Sequence, residues 1–230
     1  SLDQIDALAS GILRGVAAAH AHGLVHRDLK PGNILVSLTN DALVPKIADF
    51  GLAKVLEHGG EAMMATQTGS SMGTPAYMAP EQIQASSSVD ARADIFALGA
   101  ILYELVTGAR CFDGHKVIPL WRNICAGNYT AITERQPDAP ERMVRAIDGA
   151  LKPELEERIQ DVDSLLTTWF EGAESGPPVT ITDSVELWPQ AVRDEIQALA
   201  SAPTKPDPTP PSETLGFAHT MADGAPPEPI

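Results

Sequence analysis

Cysteine is scarce in this chain: Cys111 and Cys125 are the two in 230 residues. Their spacing makes neither a disulfide framework nor a metal-binding pair, so both read as reduced thiols of a cytosolic domain. Basic residues are also few. There are 16 Lys and Arg against 31 Asp and Glu, a formal net charge of −15 and a pI near 4.6. That balance argues against nucleic acid and anionic membrane as direct partners. No apolar run is long enough to cross a bilayer, and no stretch reads as a secretory signal. Lysine is missing altogether from the first 29 positions.

What is present begins with His26-Arg27-Asp28-Leu29-Lys30-Pro31-Gly32-Asn33. A carboxylate, an ammonium and an amide fall within six positions. Moving a phosphoryl group from ATP to a hydroxyl needs those groups together. Asp28 can orient the hydroxyl and take its proton, Lys30 can neutralise charge on the phosphate, and Asn33 can hold magnesium through its side-chain oxygen. The run closely resembles the catalytic loop of protein kinases, with Lys30 in the serine/threonine-kinase form. Lys46-Ile47-Ala48-Asp49-Phe50-Gly51 follows, behind an apolar strand at Ile34-Leu35-Val36 and a long turn region from Ser37 to Pro45. It resembles the kinase segment in which Asp49 would bind magnesium and Phe50 would pack inward to set the loop's pose. The resemblance further implies that Leu35 underlies the adenine.

Two later blocks keep the kinase order. Gly73-Thr74-Pro75-Ala76-Tyr77-Met78-Ala79-Pro80-Glu81 resembles the end of an activation segment. There Thr74 would hydrogen-bond toward Asp28 and Lys30, and Glu81 would form a buried ion pair with Arg158. Asp90 to Gly99 then runs into Ala100 to Gly108, apolar almost all round between Ile95 and Val106, with Glu104 its one charge. A helix of that kind is buried in a large core. By resemblance it carries the catalytic loop, with Asp94 accepting hydrogen bonds from the backbone of the His26-Arg27-Asp28 turn.

The family's small β-rich lobe has no counterpart here. Gly11, Gly15 and Gly23 do not form G-x-G-x-x-G, and no strand lysine precedes His26. Ile5, Leu8, Ile12, Leu13, Val16 and Ala19 instead follow helical spacing, with Asp3 as a cap and Gly23 as a stop. The chain therefore reads as a piece of a longer one that lacks its N-terminal lobe. Residues 1–172 are expected to form a mainly α, kinase-like C-terminal lobe, a helical bundle with short β-hairpins at the catalytic cleft. Late helices are expected at Trp121–Ala126, Pro140–Leu151 and Val162–Phe170, with Trp121 and Trp169 as core. Residues 173–230 hold 9 acids against 2 bases and are rich in proline. They read as a disordered linker or tail, with a possible short helix over 189–200.

The implied activity is transfer of the γ-phosphoryl of ATP to protein Ser or Thr, with ATP and Mg2+ (or Mn2+) as cofactors and protein substrates as partners. Alone, the chain is expected to be inactive, and the alternative is a regulatory or interaction module. A pseudokinase is disfavoured by the presence of Asp28, Lys30, Asn33 and Asp49. An aminoglycoside-type phosphotransferase is disfavoured by Lys30 and the Gly73–Glu81 block. The style resembles the bacterial eukaryotic-like kinases. Arg27 beside Asp28 resembles kinases switched by activation-loop phosphorylation, and Thr66 and Thr68 are the favoured sites. His20, His22 and His26 are read as helix-end and loop residues, not a metal site. The expected location is the cytoplasm, with anchoring by a further C-terminal segment left open.

Overall fold

The computed structural model describes residues 1–39, 42–49, 74–84, 89–114 and 116–173. Phe50, Thr66, Thr68 and the expected tail with its helix over 189–200 lie outside the described residues.

The opening helix, α1 (Leu2–Ala21), buries Ile12, Leu13, Val16 and Ala19 on one face. Its cap differs from the sequence expectation. Ser1 is the N-cap and Asp3 sits in the first turn, where its charge favours the positive end of the helix dipole. The end is as expected. Gly23 adopts φ 75°, its N–H donates to the His20 carbonyl at 2.9 Å, and the Leu24 N–H reaches the Ala19 carbonyl at 3.0 Å. This paired closure needs a left-handed residue, which glycine supplies without a Cβ penalty.

A short 3-10 turn, Pro31–Asn33, leads into an antiparallel hairpin of β1 (Ile34–Thr39) and β2 (Ala42–Ile47). Here the sequence expectation is corrected. Ser37 to Thr39 and Ala42 to Pro45 are strand rather than turn, in register Ser37↔Val44 and Thr39↔Ala42. Val36 pairs with Pro45, and in a two-stranded ribbon a proline can point its missing N–H outward. The hairpin lies against α1. At the contact, a Cβ added to Gly15 would stand 3.2 Å from Ile47 Cγ1.

The core is built around α3 (Arg92–Thr107), in which Ile95, Phe96, Leu98, Leu102 and Tyr103 are fully buried. Gly108 ends it at φ 69°. A single-turn helix, α2 (Pro80–Ile83), precedes it. Then come α4 (Val117–Cys125), α5 (Ile132–Arg135), α6 (Glu141–Ala150) and α7 (Val162–Phe170). Helix α4 starts four residues before the expected Trp121. Pro119 lies in its first turn, where its missing N–H would have had no partner anyway. Trp121 is only half-buried, while Trp169 is fully enclosed.

Helix α6 lays Met143, Ala146, Ile147 and Ala150 against α3 and α7, a spacing of three and four. Asp161 caps α7 by accepting from the Ser164 N–H at 2.6 Å. Arg142 on α6 holds both carboxylate oxygens of Asp6 on α1, at 3.0 and 2.7 Å. Trp169 Nε1 donates to the same carboxylate at 2.8 Å. One aspartate thus ties the first helix to the last two. The described residues are mostly helical with one two-stranded sheet, the layout of a kinase-like helical lobe.

Candidate active site

The site forms where α1, the hairpin and α3 meet. Asp94 enters from the first turn of α3 and is 1% exposed. Its Oδ2 accepts from the His26 backbone N–H at 2.7 Å, and its Oδ1 from the Arg27 N–H at 2.8 Å. A buried carboxylate needs such donors to offset its lost hydration. It takes a third: His20 Nε2 lies 2.8 Å from Oδ2. With three donors on one buried group, the loop 26–28 is fixed to the central helix.

Arg27 sits at φ 64°, a left-handed conformation that is costly for a residue with a side chain. Its neighbours hold it there. The Arg27 N–H is bound to Asp94, and the Arg27 carbonyl accepts from Gln82 Nε2 at 2.8 Å. Beyond that turn, Asp28 is partly exposed, and Lys30 Nζ donates to its Oδ2 at 2.8 Å. Asn33 is 6% exposed and gives its Nδ2 to the Asp28 carbonyl at 2.9 Å. That bond orients the amide and leaves Oδ1 as its other polar atom.

The hairpin brings in Asp49. Ile34 pairs with Ile47, so Asn33 stands opposite Ala48. The Ala48 N–H donates to the Asn33 carbonyl at 2.8 Å, and His26 Nε2 lies 3.0 Å from the Ala48 carbonyl. Residue 48 is thereby held from both sides, and Asp49 follows with an exposed side chain and φ 55°. Asp28, Lys30, Asn33 and Asp49 therefore share one rim. Leu35, 59% exposed, lies beside them on β1. Asn33 Oδ1 and the Asp49 carboxylate are hard oxygen donors suited to Mg2+, which completes its shell with phosphate oxygens and water.

The segment Thr74–Ile83 is fixed separately. Arg158 is bidentate to Glu81, at 2.8 and 3.0 Å, with both side chains buried. Its remaining N–H groups go to the carbonyls of Lys152, Arg92 and Pro153. The guanidinium lies 5.1 Å over the Phe96 ring. Tyr77 donates to Glu104. Burial, with that carboxylate, pushes the Tyr77 hydroxyl well above its ordinary range. Thr74 is described at the backbone only, at the start of the 3-10 turn Thr74–Tyr77.

Two residues of the site escaped the sequence reading. His20, a helix-end residue by sequence, reaches a residue 74 positions away. Gln82 falls just outside the Gly73–Glu81 block.

Comparison with known proteins agrees with this layout. Residues 1–170 match the protein kinase domain. The chain is 33% identical over 165 residues to the probable serine/threonine-protein kinase PknB of Lactococcus lactis, covering 72% of this chain and 25% of that protein. It is 31% identical over 208 residues to the DNA damage-responsive serine/threonine-protein kinase RqkA of Deinococcus radiodurans, covering 80% and 30%. With the serine/threonine-protein kinase pkn3 of Myxococcus xanthus it shares 33% over 199 residues, covering 86% and 33%. The chain thus spans a quarter to a third of the length of these relatives.

Proposed function

Because the chain belongs to the protein kinase family, among relatives of the bacterial eukaryotic-like serine/threonine branch, we propose that it carries the phosphoryl-transfer loop of an enzyme that phosphorylates Ser or Thr of other proteins. The observation that carries this reading is the shared rim of Asp28, Lys30, Asn33 and Asp49. In this reading, Asp28 orients the acceptor hydroxyl and takes its proton. Lys30, already 2.8 Å from that carboxylate, keeps its negative charge from repelling the phosphate and meets the transferring group. Asn33 Oδ1 and Asp49 would hold Mg2+, and Leu35 would lie under the adenine. Bound MgATP supplies the phosphoryl group and screens its charge. Thr74 selects a hydroxyl acceptor beside Asp28. The cytoplasm is the proposed location; no described helix is long and apolar enough to cross a membrane.

A second reading, a non-catalytic interaction module, is favoured by one observation. Leu35, Val36 and Leu43 leave the hairpin with exposed apolar side chains, 59%, 51% and 37% accessible. Leu35 lies on one face of the ribbon and Val36 and Leu43 on the other. On the first reading the Leu35 face is the floor of the nucleotide cleft, to be closed by a strand-rich lobe with a phosphate-gripping lysine. The test is ATP-dependent phosphorylation by the 230 residues alone and with such a lobe joined in front. Activity should appear only with the lobe. Asp28→Ala should then lower kcat by about 10²- to 10⁴-fold. Full activity of Asp28→Ala would remove the enzymatic reading and leave the second.

A further inference from the structure

Gln82 makes two contacts that tie separate parts of the site together. Its Oε1 accepts from the Ala79 N–H at 3.0 Å, at the entrance to α2. Its Nε2 donates to the Arg27 carbonyl at 2.8 Å, across 55 positions of sequence. The amide is thus used at both ends, and neither end can turn without losing a bond.

The bond to Arg27 falls on the peptide that carries Asp28. That peptide's carbonyl is held by Gln82, and its N–H, belonging to Asp28, lies 3.3 Å from His26 Nδ1. The preceding peptide is held through the Arg27 N–H by Asp94. With φ of Arg27 at 64°, the backbone leans on these bonds to stay in a sparsely populated region. The plane of the Arg27–Asp28 peptide sets the direction in which the Asp28 side chain leaves the chain. Gln82 in turn is fixed by its neighbour Glu81, locked to Arg158. A rigid path therefore runs from the buried ion pair, through Gln82, to the Asp28 backbone.

We propose that Gln82 is a positioning residue for phosphoryl transfer. Its amide clips the segment Thr74–Ile83 to the Arg27–Asp28 peptide, so that the substrate-side segment and the Asp28 carboxylate keep one relative placement. This rests on the kinase reading of Asp28. The clip acts on orientation and makes no contact with nucleotide, so its loss falls on kcat and leaves nucleotide affinity in place.

The experiment uses the full-length kinase that contains this chain, with Asp28→Ala as the reference for the kinase reading. Gln82→Met removes both bonds at similar volume. It should lower kcat by about 10- to 100-fold, as a small misplacement of a reacting group does, with KM for ATP within about twofold. Gln82→Glu keeps the acceptor for Ala79 and replaces the donor by a carboxyl, which donates to the Arg27 carbonyl only when protonated. Its kcat relative to the parent enzyme should rise as pH falls from about 8 to 6, within the reach of carboxyl groups raised by burial. Arg27, Asp28, Tyr77 and Asp94, which line one small cavity with Gln82, are common to both proteins, so the ratio reads the substituted side chain. Gln82→Glu carries the test even where Gln82→Met fails to fold. If kcat of the variants stays within twofold of the parent and the ratio is flat with pH while Asp28→Ala is inactive, Gln82 has no positioning role. If Asp28→Ala keeps full activity, the kinase reading falls and takes this role with it.

Discussion

Several separate constraints converge on Arg27. Its backbone is held in a left-handed turn by Asp94 and Gln82, while the guanidinium makes only one long contact among the described residues, Nη2 to the Val89 carbonyl at 3.5 Å. An arginine beside Asp28 can receive a phosphate, which brings about −1.5 to −2 charge and pairs bidentately with guanidinium. We propose Thr66 and Thr68 as the phosphorylated residues. Mass spectrometry of the full-length active enzyme should find phosphate on at least one of them. Thr66→Ala/Thr68→Ala should lower kcat at least tenfold. An unmodified pair, together with a fully active double variant, would mean that no such switch exists. Thr74 is a poorer acceptor in this scheme, because its hydroxyl is assigned to the neighbourhood of Asp28.

Among the elements, α2 and the stretch before α7 are joined by a buried charge pair. Glu81 is 6% and Arg158 2% exposed, and every described polar contact of the guanidinium is to a carboxylate or a carbonyl. Removing one partner strands a desolvated charge. Arg158→Met or Glu81→Leu alone should therefore cost about 3–5 kcal/mol in urea unfolding. Changing both together should cost less than the sum of the two. Strict additivity of the single changes would show that the pair is not coupled, contrary to the geometry. This contact is architectural, since its groups lie under the segment that Gln82 connects to Asp28.

For the whole lobe, the consequence lies at alkaline pH. Burial pushes the Cys111 thiol, the Tyr129 hydroxyl and the Tyr77 hydroxyl above their ordinary values of 9.0, 10.0 and 10.0. The carboxylate of Asp148 adds to this at Tyr129, which donates to it at 2.7 Å. Each group is protonated in the fold at a pH where the unfolded chain has lost the proton. Their stabilising effect is whole below about pH 9 and drains away as pH rises toward the folded values. For the buried Cys111 the loss approaches about 1.4 kcal/mol per pH unit above its ordinary pKa. The urea midpoint should fall steadily between pH 9 and 10.5, and Cys111→Ala should flatten the slope. A midpoint constant over that range would contradict the burial of these groups.

The sequence by itself determined the order of parts. The run from His26 to Asn33, Asp49 and the Gly73–Glu81 block stand in one fixed chain order. The buried helix that became α3 was legible from Ile95 to Val106 because apolar residues surround it. The C-terminal end of α1 was legible where Gly23 closes it locally. Contacts between distant positions were less so. The hairpin's true length depended on cross-strand pairing, which lets Pro45 stand in a strand. The start of α4 depended on Leu120 and Ile124 being drawn into the core. His20 and Gln82 carry no periodic or motif signal, and their partners lie 74 and 55 positions away. Only the packing of α1 and α2 against the 26–28 turn brings those donors within reach. A hydrogen bond of that kind is decided by where two backbones meet, and local sequence does not encode the meeting point.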